Sequence, residues 1–235
     1  MKILICGGNG GIGAALVKVC ASFATEVHAT WYRNEPQESK KSPGIHWHSV
    51  DVSNEEDIAR LASSIGDLDW VINAVGMLHT EEHYPEKRLS QVDSAFFMKN
   101  MRVNALPTLL LAKYLQQNLK RSDAPRFATV SARVGSIEDN KLGGWYSYRC
   151  AKAALNMAMK GISIEWQRVM PKSCVVALHP GTTDTQLSAP FQANVAPEKL
   201  FSTQQVAEDF IALIRKLSPE ETGRFYNWAG EELPW

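Results

Sequence analysis

The chain has no excess of either charge. Twenty-five lysines and arginines balance 25 aspartates and glutamates. A dedicated nucleic-acid or polyanion binder would be basic, so that class is set aside. Cysteine is sparse: Cys6, Cys20, Cys150 and Cys174 are scattered, with no CxxC and no metal-like pairing with histidine. They read as reduced, buried thiols, and neither a disulfide framework nor a metal site is expected. His79 and His83 are four apart, but their segment holds Pro85 and has no helical period, so they read as solvated. No apolar run is long enough to span a bilayer, so no membrane partner is expected. The amino end passes from Met1 straight into a short apolar run and a glycine cluster, without the layout of a secretory signal. A cytoplasmic protein is the expectation. There is no internal repeat and no low-complexity segment.

Apolar residues make up 45% of the 235, enough for a sizeable core. Short β-branched and apolar runs fall at residues 2–6, 26–32, 45–50, 68–73, 126–131, 173–178 and 224–228. Between them lie helical patterns. One at 54–65 opens with a Ser53/Asn54 cap and acidic first-turn residues. Another is a long stretch at 89–119, a third carries Tyr148 and ends near residue 169, and a fourth covers 203–216. Residues 35–43 are a polar loop, and 185–202 have two prolines and no period, so they form a loop or lid. Strands alternating with helices predict a single α/β domain over residues 1–235. Its sheet is mostly parallel and doubly wound, with helices on both faces.

The first strand runs into Gly7-Gly8-Asn9-Gly10-Gly11-Ile12-Gly13 and then a helix. Strand, glycine turn and helix are the context in which a backbone approaches a pyrophosphate and the helix N-terminus meets its charge. The spacing is G-x-x-x-G-x-G, on Gly7, Gly11 and Gly13. At the end of the second strand an acidic residue would accept from a ribose 2′-hydroxyl and repel a 2′-phosphate. Here the sequence is Thr30-Trp31-Tyr32-Arg33-Asn34, with no carboxylate and with an arginine whose fork suits a phosphate. NADP(H) is therefore expected in preference to NAD(H). Asp51-Val52 and Asn73-Ala74-Val75-Gly76 close two further strands and are placed to flank an adenine ring, though each alone is ordinary strand-end punctuation.

Tyr148 and Lys152 stand four apart at the start of a strongly helix-forming run, so they share a face one turn apart. A phenol titrates near ~10, and a neighbouring ammonium favours its ionised form. Such a pair is a candidate proton donor and acceptor, although the same spacing also occurs in surface pairs. Asn104 and Pro107 interrupt the apolar face of the 89–119 helix, where a polar residue can hold an ordered water.

Taken in order, these features identify the chain as similar to the short-chain dehydrogenases/reductases over nearly its whole length. They are Gly7-x-x-x-Gly11-Ile12-Gly13, Asp51-Val52, Asn73-Ala74-Val75-Gly76, Asn104, Ser131, Tyr148-x-x-x-Lys152 and Pro180-Gly181-x-x-x-Thr185. Residues 131–137 and 143–146 resemble the C-factor and sniffer-type carbonyl reductase branch. The resemblance implies a Rossmann-type domain that interconverts a carbonyl compound and an alcohol. It implies that the glycine loop (Gly7, Asn9, Gly10, Gly11, Ile12, Gly13) seats the pyrophosphate and that Tyr148 protonates the carbonyl oxygen. Lys152 then lowers the tyrosine's pKa and bonds the nicotinamide ribose, and Asn104 holds a water in the proton path. Pro180, Gly181, Thr182 and Thr185 line the nicotinamide side. A serine that bonds the carbonyl is also implied, but here the family's position falls on Ala132. Ser131, one residue early, is the first choice and Ser136 the alternative. Cys6 stands where the family usually has threonine, and residues 73–76 lack the family's second asparagine. A rival reading is a dinucleotide-binding sensor or signalling protein with little turnover, which the C-factor name suggests. The substrate pocket is expected from residues 138–145 and 188–200. A homodimer or homotetramer is expected through the two long helices, with Tyr114, Met157, Ile164 and Trp166 as candidate contacts.

Overall fold

The computed structural model describes residues 1–36 and 44–235, so most of the polar loop expected at 35–43 lies outside the described residues. In chain order the main elements are β1 (Lys2–Cys6), α1 (Gly11–Ala21), β2 (Glu26–Trp31), β3 (Ile45–Ser49), α2 (Glu55–Ser64) and β4 (Trp70–Asn73). Then come α3 (Ser94–Asn100), α4 (Leu106–Leu119), β5 (Arg126–Val130), α5 (Tyr146–Val169) and β6 (Cys174–His179). The two-residue strands β7 (Thr182–Thr183) and β8 (Leu200–Phe201), α6 (Thr203–Lys216) and β9 (Arg224–Asn227) complete the chain.

Seven strands form one parallel sheet in the order β3-β2-β1-β4-β5-β6-β9. The order reverses between β1 and β4, and in such sheets the crevice at the carboxyl ends beside the reversal is where ligands bind. Every central strand is apolar on both sides because both faces are covered. Leu4, Val71, Phe127, Val175 and Ala177 face a layer with residues from α2, α4 and α5. Ile3, Ile5, Ile72, Ala128, Val176 and Leu178 face the other, with α1 and α6. Phe127, Leu111 and Phe210 are wholly buried. Burial of such a side chain contributes roughly 1.5–3 kcal/mol.

The expected helix at 89–119 is the main correction to the element map. Residues Leu89–Gln91 make only a 3-10 turn, and α3 starts at Ser94, where the Asp93 side chain accepts from Phe96 N–H. The helix then widens into a π turn over Met101–Ala105 before α4 begins, with Pro107 in its first turn, where a missing N–H costs nothing. Asn104 sits in that π turn. One of the four candidate interface residues is also corrected. Trp166 is 3% exposed and packs edge-on against Phe127, because its side of α5 faces the sheet. Tyr114 is partly buried against the core and its hydroxyl donates to Glu55.

Candidate active site

At the reversal, β1 delivers the glycine turn. Gly7 takes φ 78°, and a Cβ on Gly13 would stand 2.0 Å from the Gly7 carbonyl oxygen. Only glycine fits there, so the start of α1 lies directly under the turn. No side chain caps α1, its first turn has no acid, and the N–H groups at its start are offered to a ligand. A cavity of about 400 Å³ opens over this turn. Gly7, Asn9, Gly10, Arg33, Asp51, Val52, Ala74, Val75 and Gly76 all line it. Lys99 and Arg102 line it too, from α3 and the π turn, and sequence reasoning missed them. Their spacing, three apart on a helix just before Asn104, was the available signal.

Gly11, Ile12 and Gly13 form the first turn of α1 beneath this cavity rather than its wall. A Cβ on Gly11 would lie 2.6 Å from the Thr185 side chain, which brings the segment after β6 against the glycine loop. Pro180, Gly181 and Thr182 precede it, with Gly181 at φ 71° against the Phe201 ring. Asn73 does not face the cavity; its side chain is buried, accepting from Val75 N–H and lying 3.4 Å from the Thr108 hydroxyl. Asp51 accepts from the N–H and hydroxyl of Ser53, which fixes the carboxylate at the rim. Arg33 has φ 70°, a left-handed conformation that costs a non-glycine residue about 1 kcal/mol or more. Asn9 donates to the Asn34 carbonyl at 2.9 Å and ties the glycine turn to that bend.

Tyr148 and Lys152 lie on the buried face of α5, 7% and 2% exposed. Lys152 Nζ donates to the Val130 carbonyl at 3.0 Å and lies 5.7 Å from the Tyr148 ring centre. A Cβ on Gly76 would lie 3.5 Å from Asn104 Oδ1 and 3.6 Å from Lys152 Nζ. Lys152 and Asn104 thus stand beside Gly76, a residue of the cavity wall. Burial pushes the Lys152 ammonium down to about 7 and pushes the Tyr148 phenol up. In the protein alone, burial moves the phenol upward, opposite to the lowering expected from its neighbour. A phenol that stays protonated at neutral pH can give a proton, and an amine near 7 exchanges one readily.

The Asn104 side chain is fully engaged. Its Oδ1 accepts from Met77 N–H and its Nδ2 donates to the Met77 carbonyl, both at 2.9 Å, with a further bond to the Asn100 carbonyl. It pins the chain after β4 to the π turn, so any water it serves would have to be met by other atoms. The serines also have other partners. Ser131 donates to Asn156 Oδ1 at 2.6 Å, and both residues are buried. Ser136 donates to the Trp235 carbonyl at 3.1 Å and accepts from Asp139 N–H. Each serine hydroxyl is thus engaged within the protein.

Beyond Tyr148 stands an aromatic wall, to which the two segments expected at the substrate pocket contribute Trp145 and Phe191, and an unexpected segment contributes His79 and Tyr84. Trp145 meets Tyr148 edge-on at 6.4 Å and Phe191 at 5.2 Å. His79 stacks on Tyr84 at 5.5 Å and meets Phe191 at 5.8 Å. The expectation that His79 and His83 are solvated is overturned for His79. His79 Nε2 is buried without a hydrogen-bond partner, and His83 stacks on Phe96 at 5.1 Å. Among the described residues no cluster of three or more His, Cys, Asp or Glu is placed to hold a metal.

The sequence model of the family described as short chain dehydrogenase matches residues 1–196. C-signal of Myxococcus xanthus is 34% identical over 148 residues, which cover 63% of this chain and 83% of that protein. The 1-hydroxy-2-glutathionyl-2-methyl-3-butene dehydrogenase of Rhodococcus sp. (strain AD45) is 30% identical over 190 residues, covering 79% and 78%. The solved structure of the carbonyl reductase Sniffer of D. melanogaster superposes with a TM-score of 0.86 at 26% identity, covering 100% of this chain and 99% of the other. With its glycine turn, its Tyr148–Lys152 helix and these relatives, the chain belongs to the short-chain dehydrogenases/reductases, on the C-factor and sniffer-like branch.

Proposed function

We propose that the protein is an NADP(H)-dependent oxidoreductase that interconverts a carbonyl compound and an alcohol, with Tyr148 as general acid and base. The observation that carries this reading is the convergence of Lys152 Nζ and Asn104 on Gly76, in the wall of the glycine-lined cavity, with Tyr148 one helical turn away. The residues fit a dinucleotide. Gly7 and Gly13 leave a cradle that a Cβ would fill, and the uncapped N-terminus of α1 suits a pyrophosphate. Arg33, Lys99 and Arg102 bring three cations to the lining of the same cavity, which favours a 2′-phosphate and hence NADP(H). When bound, that cofactor supplies or accepts the hydride.

The chain's own residues handle the proton. The Tyr148 hydroxyl donates to the carbonyl oxygen, which becomes the alcohol. Lys152, depressed to about 7 by burial and held on the Val130 carbonyl 5.7 Å from the Tyr148 ring centre, is the amine whose own proton replaces the one the phenol gives. The serines keep Asn156 and the carboxyl-terminal Trp235 in place and leave the carbonyl oxygen to Tyr148. Trp145, Phe191, Tyr84 and His79 form the wall beside which the substrate body lies. No helix among the described residues is long and apolar enough to cross a membrane, and the four cysteines are free thiols, which agrees with a cytoplasmic location. Met157 and Ile164 on α5, with Leu106 and Leu109 on α4, are exposed apolar residues suited to a homodimer or homotetramer contact.

The test is a turnover screen of purified protein with NADPH and varied aldehydes, ketones and quinones, with Tyr148→Phe as control. Turnover that disappears in the variant is the expected result. Binding of NADPH without turnover of any carbonyl compound would favour the sensor reading instead.

A further inference from the structure

Helix α5 has no cap of its own. Trp145 occupies its N-cap position in a left-handed conformation, φ 51°, and makes no capping bond through its side chain. Such a start leaves first-turn N–H groups unpaired, and Tyr148 lies in that first turn. The missing acceptor comes from a residue 61 positions earlier. The Glu86 carbonyl oxygen accepts from Trp145 N–H at 2.5 Å. Its carboxylate accepts from Ser147 N–H at 3.1 Å through one oxygen and from the Ser147 hydroxyl through the other. Glu86 is 3% exposed. A carboxylate so buried is costly unless paired, and here it meets two donors and the positive end of a 24-residue helix. Gly144 makes the approach possible, since a Cβ there would crowd the Glu86 carbonyl oxygen at 3.3 Å.

The same stretch of chain carries His79 and Tyr84, the stacked half of the aromatic wall. Glu86 is thus the tie between that wall and the turn of helix that holds Tyr148. We infer that Glu86 is a positioning residue: through Ser147 it sets where the Tyr148 hydroxyl stands relative to the substrate wall. The inference rests on Tyr148 being the proton donor. Glu86 acts without touching the carbonyl.

Full-length variants are compared in Tm, NADPH affinity, kcat and KM, on a carbonyl substrate that Tyr148→Phe does not turn over. Small displacements of a reacting group can cost up to about a hundredfold, so Glu86→Ala is expected to lower kcat at least ~10-fold and raise KM several-fold, with NADPH affinity within about twofold. Glu86→Gln keeps an acceptor for Ser147 N–H and should bring kcat back to within about threefold of the parent. Ser147→Ala should lower kcat about threefold or more with KM unchanged, because the wall remains tied through the Glu86 backbone. If Glu86→Ala folds with a lower Tm but keeps the parent kcat and KM, Glu86 is a strut and the inference is overturned. If Glu86→Ala does not fold, Ser147→Ala decides: a loss in kcat supports the tie, and an unchanged kcat overturns it. Retained turnover in Tyr148→Phe would instead mark failure of the catalytic assignment, visible without touching Glu86.

Discussion

The two ends of the proposed active-site cleft are built in different ways. The dinucleotide end is local in sequence. Gly7 to Gly13 bring strand, turn and helix within one short stretch, and the strand ends at Asp51 and at residues 73–76 lie beside it because of the sheet order. The substrate end is assembled from afar. His79 and Tyr84 follow β4, Trp145 precedes α5, and Phe191 lies after β7, and they meet only in the folded chain. Helix α5 belongs to both, since Lys152 faces the dinucleotide end and Tyr148 the aromatic wall. The cofactor end is therefore fixed by backbone geometry, and the substrate end by side chains on loops, where specificity can vary on a constant scaffold.

The sharpest way to separate the ends is at Tyr148. Tyr148→Phe removes one oxygen and should lower turnover by on the order of 10²–10⁴-fold while NADPH affinity stays unchanged. Lys152→Ala should damage both properties, because the lysine stands where the two ends meet. Steady-state kinetics and NADPH fluorescence titration measure them. Full activity in Tyr148→Phe would remove the functional difference between the ends.

A smaller effect is expected at the outer rim of the cofactor end. Under the proposed NADP(H) reading, Arg33→Glu should weaken NADPH binding by about 10- to 100-fold and leave NADH binding nearly unchanged, because an anion then replaces a cation in the cavity lining. Isothermal titration with both cofactors checks it. Equal weakening of both would mean that the left-handed bend at Arg33 shapes the site without reading the phosphate.

The same division explains what was legible in the sequence. The sheet, its helices and the glycine turn could be read because each follows from local pattern: β-branched runs, a cap at Asn54, glycines where a Cβ would collide. Tyr148 and Lys152 could be read because i and i+4 share a helix face. Trp166 could not be placed, since an apolar residue on a long helix reads alike whether it faces a sheet or a partner. The role of Asn104 was hidden because its side-chain hydrogen bonds run to Met77, across the fold. The His79 and Tyr84 half of the aromatic wall was hidden for the same reason. His79 carries no periodicity, and only Tyr84 and Phe191 around it show that it is not solvated.

Ser131 tests the comparison more finely, because it sits on β5's exit, between the two ends. Its proton goes to Asn156 Oδ1, whose Nδ2 is buried without a partner. Ser131→Ala should therefore change kcat by less than about fivefold, against the hundredfold or more typical of a lost carbonyl donor. It should also cost about 1–3 kcal/mol of stability, because Asn156 then loses its remaining side-chain bond. Urea unfolding and kinetics of the same variant read both quantities. A hundredfold loss in kcat would show that the hydroxyl turns to the carbonyl when substrate is present, and the serine would move from the scaffold into the chemistry.

The smallest expected effect concerns acid, and it too can be assigned to one end or the other. His48, at the β2–β3 edge on the cofactor side, is held down at about 4, first by burial and then by His28 and His46. His28 is also held down, first by burial, with Lys2 and His46 adding to that and Glu26 opposing it. His179, at the end of β6, is held down at about 4 by burial and by Arg133, whose N–H lies 3.3 Å from its Nδ1. An unfolded histidine titrates near ~6.5, so between that value and about 4 the unfolded chain binds more protons than the folded one. The stability carried by the neutral rings is complete above that range and is lost as pH falls through it. Tm should accordingly drop steadily from pH 6.5 to pH 4. His48→Gln should retain more of its neutral-pH Tm at pH 4.5, by on the order of a few degrees, since a domain of this size moves roughly 2–4 °C per kcal/mol. If NADPH affinity at pH 4.5 improves in His48→Gln but not in His179→Gln, the acid loss begins at the cofactor end. The reverse result would place the first loosening where β6 leads into the substrate side.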